Sequence, residues 1–220
     1  MAASTGTYRL GPDAGRIVIK TTRAGLAARV GHDLSIDVTR WSADITVPDA
    51  AVSGGAVSGG AVSGGAVSGG AVSGGAVSGA APDPADLSAA TVTAELDLGS
   101  LAVREGTGGA RPLSDSDRRD IESTMRKILG GGGRPATAAF RSTRIIPSSV
   151  GGAIEGTLTL NGRSQPARLQ LTSPAAGRYR GTVTVVQSAF GIKPYTGFFG
   201  ALKLRDEVAV EFEVDLGRAA

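Results

Sequence analysis

Gln187–Leu216, QSAFGIKPYTGFFGALKLRDEVAVEFEVDL, decides the fold class of this chain. Its second half alternates strictly: Val208, Val210, Phe212 and Val214 fall on one face, and Glu207, Glu211, Glu213 and Asp215 on the other. A two-residue period held over this length predicts a half-buried β-strand. The first half is an aromatic, glycine-rich corner, with Phe190, Tyr195, Phe198 and Phe199 set among Gly191, Gly197 and Gly200. The chain holds five Phe, three Tyr and one Trp, so this corner carries four of them. Such a concentration at a strand end marks either the stopper of a packed core or the mouth of an apolar cavity.

Working outward, the same period recurs along most of the chain. Thr7–Leu10 and Arg16–Thr22 are strand-like. Leu34, Ile36 and Val38 alternate with Ser35, Asp37 and Thr39, and Trp41–Val47 continues the pattern. Leu87–Leu98 places Val92, Ala94, Leu96 and Leu98 on one face, before Gly106, Gly108, Gly109 and Pro112 break it. Further strands are expected over Thr137–Ile146, Ala153–Leu160, Ala167–Leu171, Tyr179–Gln187 and Leu202–Leu216. Asn161-Gly162 is the clearest hairpin signal, since both central residues of a type I′ turn need φ > 0. One helix is predicted at about 115–129. Ser114 and Asp117 form a capping-box-like start, Ile121, Met125, Ile128 and Leu129 make one apolar stripe, and Gly130–Gly133 ends it. The stripe packs across a barrel end or side, and Met125 reads as core packing. Eight or nine strands with short turns and one helix predict an all-β fold, an antiparallel barrel or sandwich. Closure is favoured because few strands carry the prolines or lysines that blunt exposed edges.

One segment has no such pattern. Ala51–Ala80 is five copies of AVSGG and one of AVSGA in strict register. A period of five fits neither strand nor helix, and two glycines per unit make ordering costly. Residues 49–84 therefore read as a flexible, disordered loop insertion within a single domain spanning 1–220. Lengthening a loop from about 4 to about 34 residues costs roughly 2 kcal/mol of closure entropy. The functional alternative is a sticky or tethering segment, since every unit keeps its valine.

Bulk composition excludes several classes. There is no cysteine, hence no disulfide scaffold, thiolate nucleophile or zinc-thiolate site. Net charge is only +3. The densest basic group, Arg118, Arg119, Arg126 and Lys127, shares its helix with Asp115, Asp117, Asp120 and Glu122, which reads as a solvated face and not as a nucleic-acid patch. No run approaches the roughly 18 apolar residues of a membrane span. No secretory signal is visible in MAASTGTYRL, so a cytoplasmic location is expected. A homodimer stays open.

Taken together, VGHDLSIDV (Val30–Val38), RDIESTMRKIL (Arg119–Leu129), PATAAFRSTRI (Pro135–Ile145), IEGTLTLNGRSQPARLQL (Ile154–Leu171) and FGIKPYTGFFGALKLRDEV (Phe190–Val208) resemble the YceI-like, polyisoprenoid-binding family in order and spacing. The resemblance covers nearly the whole chain outside the repeats. It implies a lipocalin-like antiparallel β-barrel whose elongated apolar channel can hold an isoprenoid tail. Several family members are exported, whereas this chain shows no signal peptide, and the AVSGG insertion lies outside the family pattern.

The candidate chemistry is correspondingly spare. A lipid tail needs no charged hook: each CH₂ removed from water contributes about 0.8 kcal/mol, so ten carbons offer roughly 8 kcal/mol before ordering costs. Candidate lining residues are Ile17, Ile19, Leu34, Ile36, Phe140, Phe190, Phe198 and Phe199. A packed core predicts the same alternation. His32, the only histidine, reads either as a half-buried, hydrogen-bonded residue at a strand start or as a contact to a ligand head group. Lys193 and Tyr195 are polar contacts if the corner is a mouth, and part of a turn plugging the barrel if it is not. Gly106–Gly109 lacks the Gly-Lys-Ser/Thr ending of a phosphate-binding loop. No nucleophile is paired with His32 and no metal set is recognisable, so no enzymatic activity and no cofactor are expected. The favoured function is carriage or sequestration of an isoprenoid-like apolar ligand. The rival is an interaction or stress-associated scaffold with a filled core.

Overall fold

The computed structural model describes residues 6–48, 86–130 and 136–219. The AVSGG repeats, and with them the expectation of a disordered insertion, lie outside the described residues. Short polar or glycine-containing turns punctuate the alternating segments, which form β1 (Gly6–Leu10), β2 (Gly15–Thr21), β4 (Asp33–Val38), β5 (Trp41–Val47), β6 (Thr91–Asp97) and β7 (Leu101–Thr107) in the first half. The second half adds β8 (Thr137–Ser148), β9 (Gly151–Leu160), β10 (Arg163–Ala175), β11 (Arg178–Val186) and β14 (Glu207–Asp215). These eleven segments hydrogen-bond in the order β1-β5-β6-β8-β9-β10-β11-β14-β2-β4-β7, and every pair whose register is defined is antiparallel. A second sheet of three short strands, β3 (Arg23–Ala24), β12 (Thr196–Gly197) and β13 (Leu202–Leu204), stands at one end.

Chain continuity turns that order into a ring. β4 runs into β5 across Thr39 and Arg40, and β6 into β7 across a tight turn at Leu98–Ser100. Val38 pairs with Leu101 and Trp41 with Leu96, so the two form one long bent hairpin. β1 and β2 likewise run along β5 and β4. Counted as continuous strands, the barrel has eight among the described residues: β1–β2, β4–β5, β6–β7, β8, β9, β10, β11 and β14. The bend is held by polar groups. Asp97 N–H donates to the Arg40 carbonyl, and the Asp97 carboxylate accepts from Arg40 Nη2 at 2.7 Å and from Gly99 N–H at 2.7 Å. The Arg40 hydrogen bond, foremost, keeps the Asp97 carboxyl below its ordinary pKa.

Leu101–Thr107 is a further strand, which takes in Gly106, and Leu202–Leu216 divides at Arg205–Asp206 into β13 and β14. Asn161 (φ 50°) and Gly162 (φ 79°) form the expected left-handed turn between β9 and β10. The one α-helix among the described residues, α1 (Asp115–Leu129), carries the full capping box between Ser114 and Asp117. Beyond its contact with β6, β8 no longer follows the long strand, and α1 packs along the edge of β7 thus exposed. Polar side chains of the helix satisfy that edge. Val103 N–H donates to Glu122 Oε1 at 2.9 Å, and Arg118 donates to the Val103 carbonyl at 3.2 Å and to that of Arg104. At the far end of the helix, Asn161 Nδ2 donates to the Leu129 carbonyl at 2.8 Å, tying it to the β9–β10 turn.

Candidate functional site

Because side chains alternate along each strand, every strand sends one set of residues inward. These inward sets are apolar all round the ring: Ile17 and Ile19 on β2, Leu34 and Ile36 on β4, Ala43 and Ile45 on β5, and Val92, Ala94 and Leu96 on β6. Leu158, Leu169, Val183, Val208, Val210 and Phe212 complete the circuit through β9, β10, β11 and β14. They do not fill the barrel. They enclose a cavity of about 870 Å³, and the α1 stripe of Ile121, Met125, Ile128 and Leu129 forms part of its wall. That volume lies toward the upper end of the roughly 300–1,000 Å³ typical of small-molecule sites.

Two glycines help to keep the interior hollow. A Cβ at Gly181 would lie 2.1 Å from the ring of Phe212, its partner across β11 and β14. A Cβ at Gly156 would lie 2.5 Å from the ring of Phe140. Each ring therefore lies flat over a residue without a side chain, instead of standing up into the barrel.

Polar groups are confined mostly to one end. There His32 precedes β4, half-buried on the cavity rim, and its Nε2–H donates to the Arg111 carbonyl at 2.7 Å. Its ring lies over Gly109, where a Cβ would come within 2.1 Å of Nε2. Arg111 in turn pairs with Asp117 at 3.1 Å. Hydrogen bonds from Ser114 hold the Asp117 carboxyl below its usual pKa. Thr124, Gln187 and Tyr195 also reach the wall. Toward the opposite end Tyr179 lies half-buried on the wall, and burial, with Tyr8 nearby, pushes its phenol up. It remains neutral at physiological pH. No group of three or more His, Cys, Asp or Glu among the described residues is placed to hold a metal ion.

The residues singled out from sequence divide clearly. Ile17, Ile19, Leu34, Ile36 and Phe140 stand on the cavity wall, with His32 and Tyr195 at its rim. Phe190 does not line the cavity. It is buried in the adjoining core, tucked in by the turn Gln187–Phe190 and the left-handed Gly191 (φ 73°) that follows. Lys193 is exposed and off the wall, and Phe199 projects fully into solvent. The side chain of Phe198 lies outside the described residues. The aromatic corner is thus divided among core, rim and solvent. Sequence reasoning missed Arg111 and the helical stripe as cavity wall. The stripe was visible as an apolar face, but periodicity does not tell a face packed on a core from one bounding a hollow.

The description "YceI-like domain" matches this chain over residues 35–216. The chain belongs to the YceI-like family. The match runs from within β4 to the end of β14, so most of the cavity of this YceI-like protein is built from family sequence, and the residues before it, among them Ile17, Ile19, His32 and Leu34, complete the ring. The repeats interrupt the matched region between β5 and β6. No curated protein matches the chain. No helix among the described residues is long and apolar enough to cross a membrane.

Proposed function

We propose that this YceI-like protein binds one elongated apolar lipid in its barrel, carrying or sequestering it without chemical change. The observation that supports this most is the cavity of about 870 Å³, apolar on every strand and polar mainly at one rim. An apolar tail gains about 0.8 kcal/mol for each CH₂ taken from water, with no need of a charged partner. An isoprenoid chain is the class that the resemblance implies, and it suits a hollow of this volume with mostly apolar walls. The polar rim at His32, Arg111 and Tyr195 is the natural place for its head group. A hollow of this size counts against the filled-core scaffold.

The test is native mass spectrometry of the purified protein with solvent extraction of whatever it carries, alongside titration with a solvatochromic dye. A co-purifying apolar species, and a dye that brightens on binding and is displaced by an isoprenoid alcohol, are expected. A clean apo mass together with no dye uptake would overturn the proposal.

A further inference from the structure

At the polar end of the cavity two loops are joined by backbone pairing. Lys203 pairs with Ala24 and Leu204 with Arg23, while Ala27 N–H donates to the Ala201 carbonyl at 3.0 Å. Gly25 packs so closely on Ala201 that a Cβ would lie 2.4 Å from its carbonyl oxygen. Each loop raises a large apolar side chain with no protein around it. Leu26 is 99% exposed and Phe199 is fully exposed, and Val30 and Tyr195 between them and the cavity are also open to solvent. Single exposed hydrophobics are ordinary, but two on adjoining tips at one rim are not. Phe199 also sits at φ 54°, ψ 33°, a left-handed conformation that an aromatic residue rarely adopts. Such strain persists where the surroundings impose it, and here burial of the ring offsets none of it.

The charge around these tips is equally one-sided. Residues 22–31 and 191–206 contain five basic residues, Arg23, Arg29, Lys193, Lys203 and Arg205, against the single acid Asp206. That excess is larger than the net charge of the whole chain. Asp206 is engaged by the backbone N–H and hydroxyl of Ser188, and Arg23 lies 3.9 Å from Asp33. Arg29, Lys193, Lys203 and Arg205 are exposed and form no ion pair among the described residues.

We infer that this rim is a docking surface for an anionic lipid bilayer, with Leu26 and Phe199 inserting at the interface and the basic residues meeting the head groups. Two convex apolar tips ringed by cations suit a deformable, negatively charged surface better than the flat, complementary face of a second protein. Docking there sets Val30, Tyr195, Leu202 and Leu204, all on the cavity wall and open to solvent at least in part, against the membrane, so that an apolar ligand passes between bilayer and barrel without crossing water. The inference rests on the cavity reading for that purpose alone.

The experiment is co-sedimentation of the full chain with vesicles of equimolar phosphatidylcholine and phosphatidylglycerol, and with phosphatidylcholine alone, at low and high salt. Binding to the anionic vesicles that weakens with salt is expected. The L26S/F199S double variant is expected to bind about tenfold more weakly or less, with unchanged thermal melting and unchanged dye uptake. Wild-type protein left in the supernatant, or equal binding by the double variant, would overturn the inference. So would a concentration-dependent dimer that the double variant abolishes without vesicle binding, which would assign the tips to a second copy. Because dye uptake is read separately, failure of the cavity proposal and failure of the docking inference give different results.

Discussion

Gly181 shows how a single missing side chain shapes the interior. Its Cα lies opposite Phe212, and the ring occupies the space a methyl group would need. Ala at this position has only the ring to displace, since the nearest atoms are all from Phe212. Gly181→Ala should therefore push the ring into the cavity. The expected cost is about 1–3 kcal/mol of stability, the usual range for overpacking, with weaker uptake of an apolar dye. Urea unfolding and dye titration measure the two effects, and adding Phe212→Leu should recover much of both. A variant with native stability and native dye affinity would show that the glycine is incidental. In the sequence this glycine is only a gap in an alternating run. Nothing local indicates that it lies beneath an aromatic ring, because the ring comes from a strand some thirty residues away.

At the scale of elements, α1 does two jobs through two faces. Its apolar stripe walls the cavity, while Glu122 and Arg118 hydrogen-bond the edge of β7 that no strand covers. Val103 is buried, so its N–H has no easy recourse to water if the carboxylate is removed. Glu122→Ala is expected to cost roughly 1–3 kcal/mol, the penalty of an unsatisfied buried donor, whereas Glu122→Gln keeps an acceptor and should cost less. Thermal melting of the two variants decides the matter; no loss in Glu122→Ala would mean that the hydrogen bond contributes nothing. The helix itself was legible, because its cap, stripe and terminal glycines are all local signals. Its docking partner was not: Leu101–Thr107 carries no strand signal of its own beside the break at Gly106, Gly108, Gly109 and Pro112, and a latch onto such a strand has no sequence signature.

For the whole molecule, the two strand ends that flank the insertion lie away from the rim. Val47 ends β5 and Thr91 begins β6 at the tip of the long bent hairpin, remote from the end that carries Leu26 and Phe199. Deleting Ala51–Ala80 should leave the barrel folded and its dye affinity unchanged. Stability should rise by no more than about 2 kcal/mol, the closure entropy of the shortened loop. Circular dichroism with urea titration tests this, and a deletion variant unable to fold would refute the insertion reading. The sequence by itself determined most of the strands, the helix, the Asn161-Gly162 turn and the apolar faces of the alternating segments. All of these follow from periodicities and backbone preferences acting over a few neighbouring residues. Only the tertiary structure decided that the inward faces enclose a hollow, that the aromatic corner divides among core, rim and solvent, and that Arg111 stands at the rim. Whether a barrel is filled or empty depends on the summed volumes of side chains from eight strands and a helix against the circumference that their pairing sets. No segment of the chain carries that sum.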